Sequence, residues 1–291
     1  MCGIVGLFIK EPSLEPMLGT LLANMLEVMT GRGPDSAGFA VYNGGVADQT
    51  KITLRGDAAA LIESELPVYA DIRHRDTHLV LSVANSEEAA LRQWLATKHP
   101  KMAITGAGQS IELYKEVGLP ADVASRFGLS GMSGTHGIGH TRMATESAVT
   151  TAGAHPFSTG PDQCLVHNGS LSNHCSVRRL LEANGMDFAT DNDSEVAAGY
   201  LSWKLQQGAT LSEALEESLN DLDGFFTFVV GTRNGFAVLR DPISCKPAVM
   251  AETDSYVAFG SEYRALAGLP DIENAHIFEP EPARVYVWER T

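Results

Sequence analysis

Cysteine stands second in the chain, in Met1-Cys2-Gly3-Ile4-Val5-Gly6, and removal of the initiator methionine would put a thiol and a primary amine on one residue. A free thiol titrates at about 8.5 and an α-amino group at about 7.7 to 8.0, so at neutral pH the amine can take the thiol's proton, directly or through a water. Such a nucleophile carries its own base. With Met1 retained the same nitrogen is a non-basic amide, so the chemistry requires processing. Taken alone, Cys2 is as readily a small buried residue opening a strand.

Four further segments supply what such a cysteine needs to cleave the side-chain amide of glutamine: RGPD at 32–35, GHTRMAT at 139–145, HNG at 167–169 and DSE at 193–195. In this order, behind a Cys-Gly-Ile start, they resemble the class II glutamine amidotransferases, which are N-terminal nucleophile hydrolases. The resemblance spans nearly the whole chain. It implies Cys2 as nucleophile, with the Asn168 side-chain amide and the Gly169 backbone N–H as the oxyanion hole. Pre-aimed neutral donors of this kind stabilise the charge that develops on the attacked carbonyl oxygen. Asn-Gly by itself is a turn dipeptide, but here it follows the apolar run 164–166.

The far end of glutamine is a zwitterion and requires one fixed cation and one fixed anion apart from the thiol. The resemblance makes Arg142 the carboxylate ligand, its planar fork suited to two parallel contacts, and Asp193 the ligand of the α-ammonium. Asp193 also stands where a cap is expected before a helix running to about residue 207. Arg32 resembles the arginine that shapes the nucleophile's surroundings, and Thr145 falls in the substrate-binding segment. His155 aligns with a recurrent family segment and is given a structural role. The Cys2 amine, rather than a histidine, is the expected base. Residues 223–226 and 240–247 resemble the family's strands and its DPxGxKP turn. Three positions depart from the pattern: Ser244 replaces a glycine, Met143 an aromatic, and Glu146 a small residue or histidine.

Composition narrows the setting. The 291 residues are ample for a large core. A net charge of -15 disfavours nucleic acid and anionic membranes as partners, because neither gains from counterion release. Four cysteines without paired spacing point to a reducing compartment. No apolar run approaches the roughly 18 residues of a transmembrane helix, and no basic n-region marks a signal peptide. The chain reads as cytoplasmic. Cys164, His167, His174 and Cys175 cluster without the tight pairs of a zinc site, and Gly106-Ala107-Gly108 lacks the third glycine of a dinucleotide fingerprint. No metal or other cofactor is expected.

These groups need a scaffold. Residues 3–8 read as a buried strand, and Leu14, Met17, Leu18, Leu21, Leu22, Met25, Leu26 and Met29 recur at helical spacing to about Gly31. Segments 36–42 and 46–54 flank Asn43-Gly44-Gly45, a hairpin signal. Helices are expected at 171–184, 194–207 and 211–219, and strands at 225–231, 236–240, 248–251, 256–259 and 284–288. Helices grouped apart from strands indicate an α+β fold, and the resemblance implies a four-layer αββα sandwich over residues 2–291. Residues 56–133 read as an inserted small α/β unit: a helix at 58–66, strands at 79–83 and 102–105, a helix at 87–97, and short helices at 112–117 and 121–127. We expect this unit to dock a partner subunit.

With its insertion, the pattern most resembles the stand-alone amidotransferase-like subunit of N-methylglutamate synthase, a relative of glutamate synthase. That implies glutamine as substrate, hydrolysis through a Cys2 thioester, and delivery of ammonia to synthase subunits carrying flavin and iron-sulfur centres. The chain ends where most amidotransferases begin their second half, so ammonia is expected to pass to another polypeptide or to solvent. Two alternatives stay open: another N-terminal nucleophile amidase, and a non-catalytic assembly subunit. Arg142 and Asp193 together favour an amino-acid substrate.

Overall fold

Alternation along the first strand sets the layering. In β1 (Gly3–Ile9) Val5, Leu7 and Ile9 pack against helix α1 (Leu18–Val28), whereas Ile4 and Phe8 point the other way, into a second sheet. The computed structural model describes residues 2–56, 65–68, 70–144 and 148–290. The strands that follow are β2 (Ser36–Tyr42), β3 (Gln49–Arg55), β4 (Asp71–Arg75), β5 (His78–Ala84), β6 (Ala103–Gly108) and β7 (Ile111–Val117). The middle of the chain supplies β8 (His136–Arg142), β9 (Phe157–Gly160) and β10 (Gln163–Leu171). The last third adds β11 (Gly224–Gly231), β12 (Gly235–Arg240), β13 (Val249–Glu252), β14 (Tyr256–Gly260), β15 (His276–Phe278) and β16 (Tyr286–Glu289).

These strands form three antiparallel sheets among the described residues, ordered β15-β13-β14-β1-β8-β2-β7, β16-β12-β11-β10-β9 and β4-β5-β3-β6. The first two stack face to face, with Ile4, Ala40 and Ile138 against Cys164, Val166, Val229 and Val238. The outer face of the seven-stranded sheet is covered by α1 and by a short helix, Pro120–Arg126. The outer face of the five-stranded sheet is covered by three helices, His174–Ala183, Asp193–Gln206 and Leu211–Asp221. The result is the αββα order. The four-stranded sheet is extra, and it packs its own small core with the helix Glu88–Lys98 through Leu54, Leu81, Leu91 and Leu95.

Several sequence expectations change. The helical spacing from Leu14 becomes α-helical only at Leu18, because Pro12 and Pro16 hold the preceding turn in a 3-10 conformation. β2 and β3 do not form a hairpin. Both edges of β2 are taken by β7 and β8, and β3 lies between β5 and β6. Asn43 instead donates through Nδ2 to Glu112 at 2.9 Å. Residues 112–117 are a strand, not a helix. Ile111 and Leu113 face the inter-sheet core while Tyr114 faces α1, and the alternation was hidden because Glu112 is buried, held by Lys51, Arg73 and the Tyr114 hydroxyl. The expected 171–184 helix starts at His174, since Leu171 still belongs to β10. Strands β4, β8, β9 and β15 are not among the expected strands, and most of the helix expected at 58–66 lies outside the described residues. Gly106 and Gly108 belong to β6. At Gly108 a side chain would collide with Asp162, whose carboxylate takes the backbone N–H groups of Gln109, Ser110 and Ile111 at 2.7 to 2.9 Å.

Burial pushes His78 and His136 down to about 4 and His140 down to about 3. The unfolded chain binds these protons near the ordinary value of 6.5, so over that window it holds more protons than the folded chain. Stability therefore falls as pH falls through 6.5, by about 1.4 kcal/mol per pH unit for each such ring, and levels off above it. Urea unfolding at pH 7.5, 6 and 5 should show this slope, and His136→Asn should make it shallower. An unchanged slope would contradict the neutral assignment.

Candidate active site

Gly3 of β1 pairs with Thr141 of β8, so the antiparallel register brings Cys2 alongside Arg142 at the end of the two strands. Ser36 of β2 pairs with Arg142 on the other side. Cys2 is half-buried, and its carbonyl oxygen accepts two hydrogen bonds, from Arg32 Nε at 3.0 Å and from Asn168 Nδ2 at 3.2 Å. Ile4, two residues on, is pinned as well. Ile4 N–H donates to Ser261 Oγ at 2.9 Å, and its carbonyl takes the Ser261 N–H at 2.9 Å.

Arg32 comes from the 3-10 turn Met29–Arg32 that ends the first helical segment, and it is buried. Its Nη1 lies 2.6 Å from Glu262 Oε1, and the other Glu262 oxygen holds Arg264 at 2.6 Å. The Arg32 guanidinium, with Arg264 beyond it, keeps the Glu262 carboxyl below its usual range. The RGPD and GHTR segments are two sides of one contact. Gly33 lies so close to the β8 backbone that a Cβ would come within 2.4 Å of the Thr141 carbonyl carbon. Asp35 donates its N–H to the Arg142 carbonyl at 3.1 Å, and its carboxylate accepts the Ala144 N–H at 2.8 Å. Arg142 itself is buried and donates through Nη1 to the Ala148 carbonyl at 3.3 Å. Thr145 and Glu146 lie outside the described residues.

On β10, Cys164 and Val166 face the inter-sheet core. Asn168 shares their face by the two-residue period, so its amide emerges at the end of that layer beside Cys2. Gly169 is required by packing as well as by any ligand, because a Cβ there would lie 2.0 Å from the Phe225 carbonyl and 2.7 Å from His167 Nε2. Asp193 is the first residue of its helix rather than the cap. Asn192 Oδ1 takes the Ser194 N–H at 2.9 Å, which leaves the Asp193 carboxylate to accept Leu171 N–H at 2.9 Å. The sequence missed Ser194 and Glu195 inside the DSE segment. Ser194 Oγ donates to Asp193 Oδ1 at 3.3 Å and accepts from His167 Nδ1 at 2.8 Å, while Glu195 holds the Ala189 and Thr190 N–H groups, each at 2.8 Å. Asp35 was likewise visible in RGPD without a role, and Glu262 had no motif to mark it.

The histidines behind the site are neutral. Burial lowers His155 well below its ordinary value and lowers His167, and it takes His140 down to about 3. His140 stacks on His155 with ring centroids 4.0 Å apart, and its Nε2 donates to the His167 carbonyl at 3.1 Å, steadying the peptide that precedes Asn168. Rings of this kind are positioned to support backbone rather than to exchange protons near neutrality. Ser244 sits at φ 50, the left-handed region where the turn pattern has glycine, and its hydroxyl compensates by donating to the Asp241 carbonyl at 2.7 Å. The four clustered Cys and His residues go to separate places. Cys164 lies against the Tyr42 hydroxyl in the inter-sheet core, His167 reaches Ser194, His174 bonds the Leu171 carbonyl at 2.7 Å, and Cys175 is exposed.

Two sheets stacked between helical layers, with Cys2 at the end of a central strand, define the αββα sandwich of the N-terminal nucleophile hydrolase fold. A solved B. subtilis glutamine phosphoribosylpyrophosphate amidotransferase, complexed with ADP and GMP, shares it with a TM-score of 0.64 and 20% identity, over 99% of this chain and 47% of that one. A family profile described as a glutamine amidotransferase domain matches residues 140–268. The glutamine amidotransferase-like protein GlxB of Rhizobium meliloti (strain 1021) is 60% identical, over 99% of this chain and 98% of its own. A putative glutamine amidotransferase of Methanothermobacter thermautotrophicus is 34% identical, over 98% of this chain and 99% of its own. The chain belongs to the glutamine amidotransferase family. No helix among the described residues is long and apolar enough to cross a membrane.

Glu262→Ala removes the anion that orients Arg32 on the Cys2 carbonyl. Its expected effect is a fall of about tenfold to a hundredfold in kcat for glutamine hydrolysis with a folded protein, because small displacements of reacting groups cost that much. Steady-state kinetics beside a circular-dichroism melt will check it, and a wild-type kcat would remove Glu262 from the site.

Proposed function

We propose that this chain is a glutaminase subunit that works through a Cys2 thioester and hands ammonia to a partner synthase. The observation that carries the reading is the double grip of Arg32 and Asn168 on the Cys2 carbonyl, one strand from Arg142. After methionine removal the Cys2 amine takes the thiol proton, and the thiolate adds to the carboxamide carbon of glutamine. The resulting oxyanion is met by Asn168 Nδ2 and the Gly169 N–H. The C–N bond then breaks as the protonated amine gives its proton to the leaving nitrogen, releasing ammonia. Water adds to the thioester with the amine as base, and breaking the C–S bond frees glutamate and the thiol. Arg142 holds the substrate α-carboxylate and Asp193 its α-ammonium, with Arg32 shaping the nucleophile's surroundings and Thr145 contributing to the pocket.

For the acceptor we propose synthase subunits of the N-methylglutamate synthase type, which would carry the flavin and iron-sulfur centres. Supporting an acceptor on a separate polypeptide is the end-to-end likeness to GlxB, a relative of the same extent. Co-purification from the native source, with identification of the bound subunits, tests the partner directly.

Cys2→Ala should abolish glutamine hydrolysis and leave the fold intact, and treatment of the wild type with a diazo-ketone glutamine analogue should add mass to the N-terminal peptide. An adduct elsewhere would move the nucleophile. Arg142→Lys should raise KM for glutamine by about tenfold with kcat little changed, because a point charge replaces a two-pronged contact. If kcat falls at constant KM, Arg142 does not bind the carboxylate.

A further inference from the structure

Residues 148–156 form a wall on which the Arg142 guanidinium rests. Nη1 donates to the Ala148 carbonyl at 3.3 Å, and a Cβ on Gly153 would lie 3.6 Å from the same nitrogen. Two adjacent residues of β7 hold this wall, although successive side chains of a strand point to opposite faces. Lys115 reaches from the inter-sheet side. Its Nζ donates to the carbonyls of Ala152 at 3.2 Å, Ala154 at 2.8 Å and Pro156 at 3.3 Å, and lies 4.3 Å from the centre of the Phe157 ring. Glu116 reaches from the other side and takes the Thr151 hydroxyl on one carboxylate oxygen and the Thr77 hydroxyl, at 3.2 Å, on the other. Thr77 sits in the turn between β4 and β5, so one carboxylate touches both the extra sheet and the wall.

The sheet itself does not need these contacts. The β2–β7 ladder runs unbroken from Ser36 opposite Val117 to Tyr42 opposite Ile111. A buried lysine is costly unless its donors are met, and here all three acceptors are backbone carbonyls of the wall. We infer that Lys115 and Glu116 are positioning residues for the glutamine carboxylate: they fix residues 148–156, and through them the Arg142 fork, with Thr77 making the extra sheet part of that support. The inference rests on Arg142 as carboxylate ligand.

The test is calorimetric binding of glutamine to the full chain carrying Cys2→Ala, which cannot turn over. Thr151→Val removes the Glu116 contact without entering the core, and Lys115→Met removes the three carbonyl contacts; each should weaken glutamine binding roughly tenfold, as for a charge-assisted contact loosened rather than lost. Thr151→Ser restores the hydroxyl and should bind like the parent, and Thr77→Val should weaken binding about threefold. Parent-like binding by Thr151→Val and Lys115→Met overturns the inference and leaves the glutamine pocket standing. Equal weakness in Thr151→Ser and Thr151→Val also overturns it, since packing alone would explain both. Parent-like binding by Thr77→Val removes the extra sheet from the path. A parent that binds no glutamine overturns the pocket and the inference together.

Discussion

Two donors meeting on one carbonyl oxygen are the constraint on which this molecule depends. A residue ahead of the first strand is ordinarily free to fray, yet Arg32 and Asn168 both bond the Cys2 carbonyl, one from the end of the first helical segment and one from the opposite sheet. The two stacked sheets must therefore keep their spacing for both bonds to form. Most of the inter-sheet core, from Ile4 and Ile138 to Val166 and Val229, serves that spacing.

Around this contact, charge is neutralised locally and polar groups are shared between segments far apart in sequence. Glu262 answers Arg32, Asp35 answers the backbone just beyond Arg142, and Asn192 takes over the cap so that Asp193 is released for other work. The buried His140 remains uncharged and acts through a hydrogen bond to backbone, on the His167 carbonyl. Low-dielectric surroundings strengthen such bonds and penalise any that are left open. The same economy explains Ser244, where a side chain tolerates a conformation that favours glycine by bonding its own turn.

Much of this was legible from residue types. Continuous apolar runs such as Gly3–Ile9, the helical spacing through Leu18–Val28 and the motifs that contain Cys2, Arg142, Asn168 and Asp193 all stand out in the sequence. What escaped was decided at long range. Nothing near Asn43 says that β2 will pair with β7 rather than β3, since the competition is settled by strands nearly seventy residues away. The strand Ile111–Val117 reads as helical because its buried Glu112, which breaks the apolar alternation, is paired by Lys51 and Arg73 on other strands. Glu262 went unseen for a similar reason: its meaning comes from Arg32, at the other end of the chain.

The pairing of Tyr42 with Ile111 means that the chain leaves the main sheet and returns to it at facing positions. The four-stranded sheet is thus an outgrowth of what is topologically a hairpin loop, the kind of site where whole units can be grafted or excised. Shortening that loop would keep the Gln109, Ser110 and Ile111 amides that satisfy Asp162, since they lie on the returning side. It would strip Glu112 of both Lys51 and Arg73, leaving a buried carboxylate with only Asn43 and Tyr114. A minimal version of this enzyme would therefore have to replace Glu112 with a neutral residue at the same time.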